Sequence, residues 1–190
     1  MVPMSTTFIA EEDLLTAREV VELSGVPMNA VKKALSQRVI APRRRRPRVL
    51  LPAGAVGGLE ILARTKVPLP ADKRRKLVTW ASRTPASGEE LKLDDVLFVK
   101  IDEAFTDLMA EVRRYVELRN DLIVSDPDIG GGEPVIKGSR VPVRSLATQI
   151  ELGESREVLR EDYPHLPEAA FDIAPIWARA NPRPGRPRKP

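Results

Sequence analysis

Residues 130–143 read GGGEPVIKGSRVPV, and their glycines, Lys137 and Ser139 are the residue types that could cradle a phosphate. Such a loop needs Gly-Lys-Ser/Thr in that order at the mouth of a helix. There the backbone amides, the lysine and a metal-bound hydroxyl converge on one phosphate chain. Here the order is Lys137-Gly138-Ser139 and Pro142 follows at once, so the lysine precedes a turn and that geometry fails. The stretch reads instead as two short β-rich runs forming a small hairpin that turns at Gly138, with Arg140 expected to pair with Asp126 or Glu133. His165, the only histidine, has no clustered His or Cys to build a metal site with. No nucleophile stands beside a base. No enzymatic activity, metal or cofactor is expected.

Other side chains suit the binding of phosphates and base edges. In TAREVVELSGVPMNAVKKALSQ (16–37), Thr16 with Glu19 three residues on makes a capping box. Gly25 permits a tight turn, and Pro27 suits the first position of a second helix. Val20, Leu23, Val31, Ala34 and Leu35 recur at helical spacing, and Val21, Gly25 and Val31 fall where a helix-turn-helix buries its residues. That leaves Met28, Asn29, Lys32, Lys33, Ser36 and Gln37 on the outer face of the second helix. Asn can pair with an adenine edge, and Lys suits phosphate or guanine. Arg43, Arg44, Arg45 and Arg46, between Pro42 and Pro47, and then Arg48 read as a basic wing or hairpin tip.

The distribution of charge separates these residues from the rest. Residues 1–80 carry a balance of +8, residues 81–178 one of −9, and residues 179–190 one of +5, within a net +4. The head thus has the sign that phosphate backbones require. The chain's absence of cysteine excludes disulfides and thiol chemistry and fits a reducing compartment. No apolar run reaches the ~18 residues of a membrane span, and the acidic MVPMSTTFIAEEDLL start lacks signal-peptide order. A cytoplasmic protein without membrane contact is expected.

Several elements must position these groups. LPADKRRKLVTWASR (69–83) reads as a helix and TPASGEE (84–90) as a linker. LKLDDVLFVKID (91–102) holds one or two strands. EAFTDLMAEVRRYVELRN (103–120) is a helix with Phe105, Leu108, Met109, Val112, Tyr115, Val116 and Leu118 at helical spacing, more apolar surface than a solvated helix needs, and it is expected to dimerise. VRSLATQIELG is a helix stopped by Gly153, and ESREVLREDY and PEAAFDIAPIWARA are two more around YPHLP. The fold class is mainly α with short β hairpins (α+β). It comprises a winged helix-turn-helix domain at 1–66, a helix and linker at 67–93, and a small helical domain at 94–178. A basic, Pro-rich, extended tail follows at 179–190, with Arg179, Arg183, Arg186, Arg188 and Lys189.

Two resemblances add to this reading. TAREVVELSGVP, VKKAL and VIAPRRRRPRVL, over about residues 14–62, resemble the MerR-type winged helix-turn-helix. LIVSDPDIGGGEPVIKGSRVPV, followed by GES and YPHL, resembles the bacterial domain-of-unknown-function family 433 over about residues 120–178. Asp126, Pro127, Glu133, Pro134, Gly138, Arg140, Pro142, Gly153, Tyr163, Pro164 and Leu166 fall at matching places. Members of that family are often encoded beside PIN-type ribonuclease toxins and read as their antitoxins. A DNA-binding module joined to such a domain looks like the VapB-type antitoxins, which neutralise the toxin and repress their own operon. The resemblance implies a PIN-type toxin and double-stranded operator DNA as partners, in a homodimer or a larger toxin–antitoxin hetero-oligomer. A stand-alone dimeric regulator and an interaction adaptor are the alternatives. For the tail, three roles are open: a solubilising terminus, a minor-groove contact (GRP resembles an AT-hook core, with Pro184 where an Arg would stand), or bridging of the toxin's metal-site carboxylates by Arg forks.

Overall fold

The computed structural model describes residues 13–45, 48–128 and 130–183. Eight helices and short antiparallel strand pairs make the described chain mainly α with small β elements. Its contacts divide it into two compact units, Met1–Val116 and Glu117–Pro190.

The first unit begins with strand β1 (Leu14–Thr16) and helix α1 (Ala17–Ser24). The capping box forms as the sequence requires: Glu19 N–H donates to Thr16 Oγ1 (3.2 Å) and Thr16 N–H to Glu19 Oε2 (2.7 Å). Gly25, at φ +68°, ends α1 in the left-handed region, its N–H donating to Val21 O. Helix α2 (Met28–Ser36) follows, with Pro27 as its N-cap, one position earlier than expected. Val20 is the fully buried valine of α1 and Val21 only half-buried, a one-residue change in the facing of the stripe. Strands β2 (Arg43–Arg45) and β3 (Arg48–Pro52) form a hairpin, and β1 pairs with the other edge of β3, giving the order β1-β3-β2.

Helix α3 (Ala55–Arg64) is the axis of this unit. Gly58 lets it approach helix α4 (Ala71–Ala81), where a Cβ would stand 2.9 Å from Val78 Cα. Gly57 receives the Phe105 ring and Met109 sulfur of helix α5 (Glu103–Leu122). The 67–93 segment therefore includes a helix whose Leu77, Val78 and Ala81 are buried. A hairpin of β4 (Glu90–Lys92) and β5 (Phe98–Lys100) follows; Lys73 pairs with Asp94 at its tip. The expected apolar stripe of α5 exists, with Phe105, Met109, Val112, Tyr115 and Val116 buried. It is used within the chain, which removes the motive for dimerisation through this helix. Arg64 ties α3 to the start of α5 through Asp102 (2.6 Å), whose other oxygen accepts Phe105 N–H. These bonds, the one from Arg64 first, hold the Asp102 carboxyl below its ordinary range.

In the second unit, β6 (Ile123–Val124) pairs with β7 (Val135–Ile136). Helices α6 (Val143–Glu151), α7 (Arg156–Asp162) and α8 (Glu168–Ala180) bury Leu146, Leu159, Phe171 and Trp177 in one core. Ser155 caps α7, and Gly153, at φ +92°, ends the α6 turn. Pro175 lies inside α8; that ordinarily breaks a helix, but Ile173, Ala174 and Trp177 beside it are buried and hold the helix through it.

Candidate nucleic-acid interface

Helix α2 presents its polar residues as the periodicity requires. Asn29, Lys32, Lys33 and Ser36 are exposed or half-buried, while Val31 and Ala34 are buried beneath them. Met28 is exposed or half-buried with them. Gln37 accepts a bond from Arg74 Nη1 (2.5 Å). Ser36 Oγ donates to Lys33 O, so its hydroxyl already has one partner on the helix.

The end of α2 is built unusually. Val39 N–H donates to Ala34 O (2.8 Å) and Arg38 N–H to Leu35 O (3.0 Å), the two bonds of a Schellman cap. The position that normally holds glycine is Arg38, at φ +53°. A side chain there costs about 1–2 kcal/mol. Arg38 is exposed, and its carbonyl accepts Arg75 Nε (3.2 Å) from α4. Helix α4 thus grips the end of α2 through Arg74 and Arg75. Neither arginine stood among the expected site residues, although the KRRK run at 73–76 marks them.

The arginine run lies on the β2–β3 hairpin. The register sets Arg43 opposite Leu50, Arg44 opposite Val49 and Arg45 opposite Arg48. Both α2 and β3 contact α1, which therefore braces the two parts of the basic face. Arg43 is exposed; Arg44, Arg45 and Arg48 are described here by their backbone, and Arg46 lies outside the described residues.

In the second unit the loop over residues 130–143 is shaped by its own turns and internal hydrogen bonds. Gly131 and Gly132 adopt φ +65° and +83°, and Gly138 φ +77° at the turn closed by Ser139 N–H to Ile136 O. Lys137 pairs with Asp121 (3.4 Å), and Ser139 Oγ donates to Ile136 O while accepting Val141 N–H. The turn at Gly138 matches expectation, with Val135 bridged to Pro142, but the strand partner of Val135–Ile136 is β6. Arg140 does not pair with Asp126 or Glu133. Asp126 accepts Asp128 N–H, and Glu133 is taken by Arg183 (3.1 Å) and Arg144 (3.6 Å). Arg144 lies 5.0 Å over the Trp177 ring and donates to Asn181 O (2.7 Å), a fixed orientation that leaves Glu133 to it.

The two described tail arginines are both in ion pairs. Arg179, still helical as part of α8 and not extended, meets Glu151 at 3.7 Å, and Arg183 meets Glu133. Arg186, Arg188 and Lys189 lie outside the described residues. His165 is exposed. Among the described residues, no helix is long and apolar enough to cross a membrane.

Comparison with known proteins bears on the second unit. Residues 123–178 match the family described as "Protein of unknown function (DUF433)", so this unit carries a DUF433 domain, as its motif indicated. The chain is 41% identical over 88 residues to "Uncharacterized protein y4eO" of Sinorhizobium fredii (strain NBRC 101917 / NGR234). That match takes in 43% of this chain and 40% of the relative, so the chain spans well under half of the relative's length. Among solved structures, the crystal structure of Rv2018 from Mycobacterium tuberculosis aligns over 89% of this chain and 99% of that one. Identity is 15% and the TM-score 0.36, too slight a likeness to support a shared fold.

Proposed function

We propose that this protein is the antitoxin of a toxin–antitoxin pair, which represses its own operon through its head and neutralises a PIN-type ribonuclease through its C-terminal part. The observation that carries the reading is the joining of a basic two-helix and hairpin head to a DUF433 domain on one chain. That layout is similar to VapB-type antitoxins. The head resembles the MerR-type winged helix-turn-helix, with β2–β3 in the place of the wing. A helix of about 10–12 Å diameter enters the major groove, where Asn29 and Lys33 of α2 would meet base edges and Lys32 phosphate.

Tail arginines would bridge carboxylates at the toxin's metal site. The pairs that now hold Arg179 and Arg183 are solvent-exposed on the arginine side, 48% and 71%. Exposed pairs contribute about 0–1 kcal/mol, so exchange for a partner's carboxylates is cheap.

The test is co-expression with the adjoining reading frame, scored by growth. The full chain is expected to rescue. Deleting residues 182–190 should impair rescue while operator binding stays nearly intact; undiminished rescue would move inhibition to the DUF433 domain. On operator DNA, replacing Arg43–Arg46 with Ala should lower the salt slope by about 0.9 for each phosphate no longer neutralised, and an unchanged slope refutes the wing assignment. DNA binding without a toxic neighbour would identify a stand-alone regulator instead.

A further inference from the structure

Beside the DNA face, and sharing Lys33 with it, lies a groove along α2. Ala30 and Ala34 of α2, Leu62 of α3 and Leu69 form its apolar walls, and Lys33 and Arg74 its charged part. It encloses about 180 Å³, below the roughly 300 Å³ at which drug-sized ligand sites begin, so any occupant is small. No acidic side chain lines it among the described residues. Arg74 spends Nη1 on Gln37, while its Nε is enclosed without a hydrogen-bond partner among the described residues. An enclosed guanidinium N–H left unpaired is costly, and a planar carboxylate that drew the guanidinium away from Gln37 toward the groove would suit the geometry of the Arg fork. Apolar walls with one basic end call for a single negative charge on an apolar chain.

We propose that this groove binds a small amphipathic monocarboxylate, with its chain between α2 and α3 and its carboxylate at Arg74 and Lys33. Its occupancy tunes DNA binding. The coupling has a direct route, because the groove wall and the outer face with Asn29 and Lys32 belong to the same nine-residue helix. Arg74 also grips the end of that helix, so a ligand that engages the guanidinium competes with Gln37 for it. This second half rests on the DNA-binding reading; the binding site itself does not.

The experiment follows backbone and methyl NMR signals of the full chain during titration with octanoate, with octylammonium as the charge-reversed control. Octanoate should give saturable shifts at Ala30, Ala34, Leu62 and Leu69 with a Kd of about 1 mM, and octylammonium none. Arg74→Gln should weaken binding at least tenfold. Because that change also disturbs the Gln37 contact, Ala63→Phe is the second variant: Ala63 lines the groove but is exposed, so the added ring blocks it without entering the core. Equal shifts with both probes, no saturation, or undiminished binding in Ala63→Phe would overturn the site. Gel shifts on operator DNA then read the coupling, expected as a threefold or larger change in affinity with octanoate that Ala63→Phe abolishes. Octanoate binding without such a change removes the coupling and leaves the site. Failure to bind DNA at all removes the proposed function, while the NMR result still decides the groove.

Discussion

In the first unit, Tyr115 donates its hydroxyl to Glu19 across 96 positions of chain, and the Phe105 ring closes on Gly57. In the DUF433 unit, Arg156 meets Asp172 sixteen residues away and Tyr163 meets Gln149 fourteen away. The glycines at and just before α3 in the first unit are needed for what touches them, and the positive-φ glycines of the C-terminal unit for the backbone they allow. Gly54, Gly57 and Gly58 have ordinary φ but no room for a Cβ. Gly131, Gly138 and Gly153 have ample room but left-handed φ. The same residue type thus answers close helix approach along α3 and tight turning in the C-terminal unit, as it also does at Gly25.

Substitutions can break or sharpen this contrast. The largest effect should come from Gly54→Asn, because a Cβ there would lie 2.6 Å from Ser82 O and 2.7 Å from Ser82 Cα, backbone that cannot swing aside. Urea unfolding should show a loss of about 1–3 kcal/mol or more. Gly153→Ala should cost about 1–2 kcal/mol, and Gly153→Asn less, since Asn tolerates the left-handed region; equal tolerance of Asn at both sites would erase the distinction. Arg38→Gly moves the other way, stabilising by about 1 kcal/mol through relief of a left-handed arginine. Weaker operator binding in that more stable variant would show that the strain is kept for a phosphate contact.

The smallest effect concerns pH. Asp102 beside Arg64, and Glu168 beside Arg160, have carboxyls held below their ordinary values of 3.8 and 4.5. Lowered folded-state values contribute stability that is fully present above the ordinary values and is lost as pH falls through the folded ones. Both are solvent-exposed, so the loss should be slight. Unfolding midpoints from pH 6 to 3 should fall less steeply in Arg64→Gln and Arg160→Gln than in the parent chain.

The contrast also explains what could be read from the sequence. Thr16 with Glu19, Gly25, Gly138 and Gly153 act within a few residues of themselves, and their turns and caps stand as expected. The α5 stripe was legible as a stripe, yet its spacing carries no sign of what it faces, and α3 faces it. The choice of Arg144 over Arg140 for Glu133 depends on the Trp177 platform, 33 positions downstream of Arg144. The left-handed Arg38 had no local signal, because the sequence offers an arginine where the cap asks for glycine. The β6 partner of Val135–Ile136 was missed for want of length, two residues being too few to show alternation.

The bond from Tyr115 to Glu19 also has a meaning in the order of synthesis. The ribosome delivers α1, α2 and the arginine hairpin first, yet Glu19, 3% exposed in the finished unit, lacks its hydroxyl partner until residue 115 is made. Gly57 likewise waits for Phe105. At about 5–20 residues per second, the interval from residue 66 to residue 115 lasts roughly 3–10 s. During it the nascent head has its basic surface but an open core, so acquisition of its final form is timed by translation of α5.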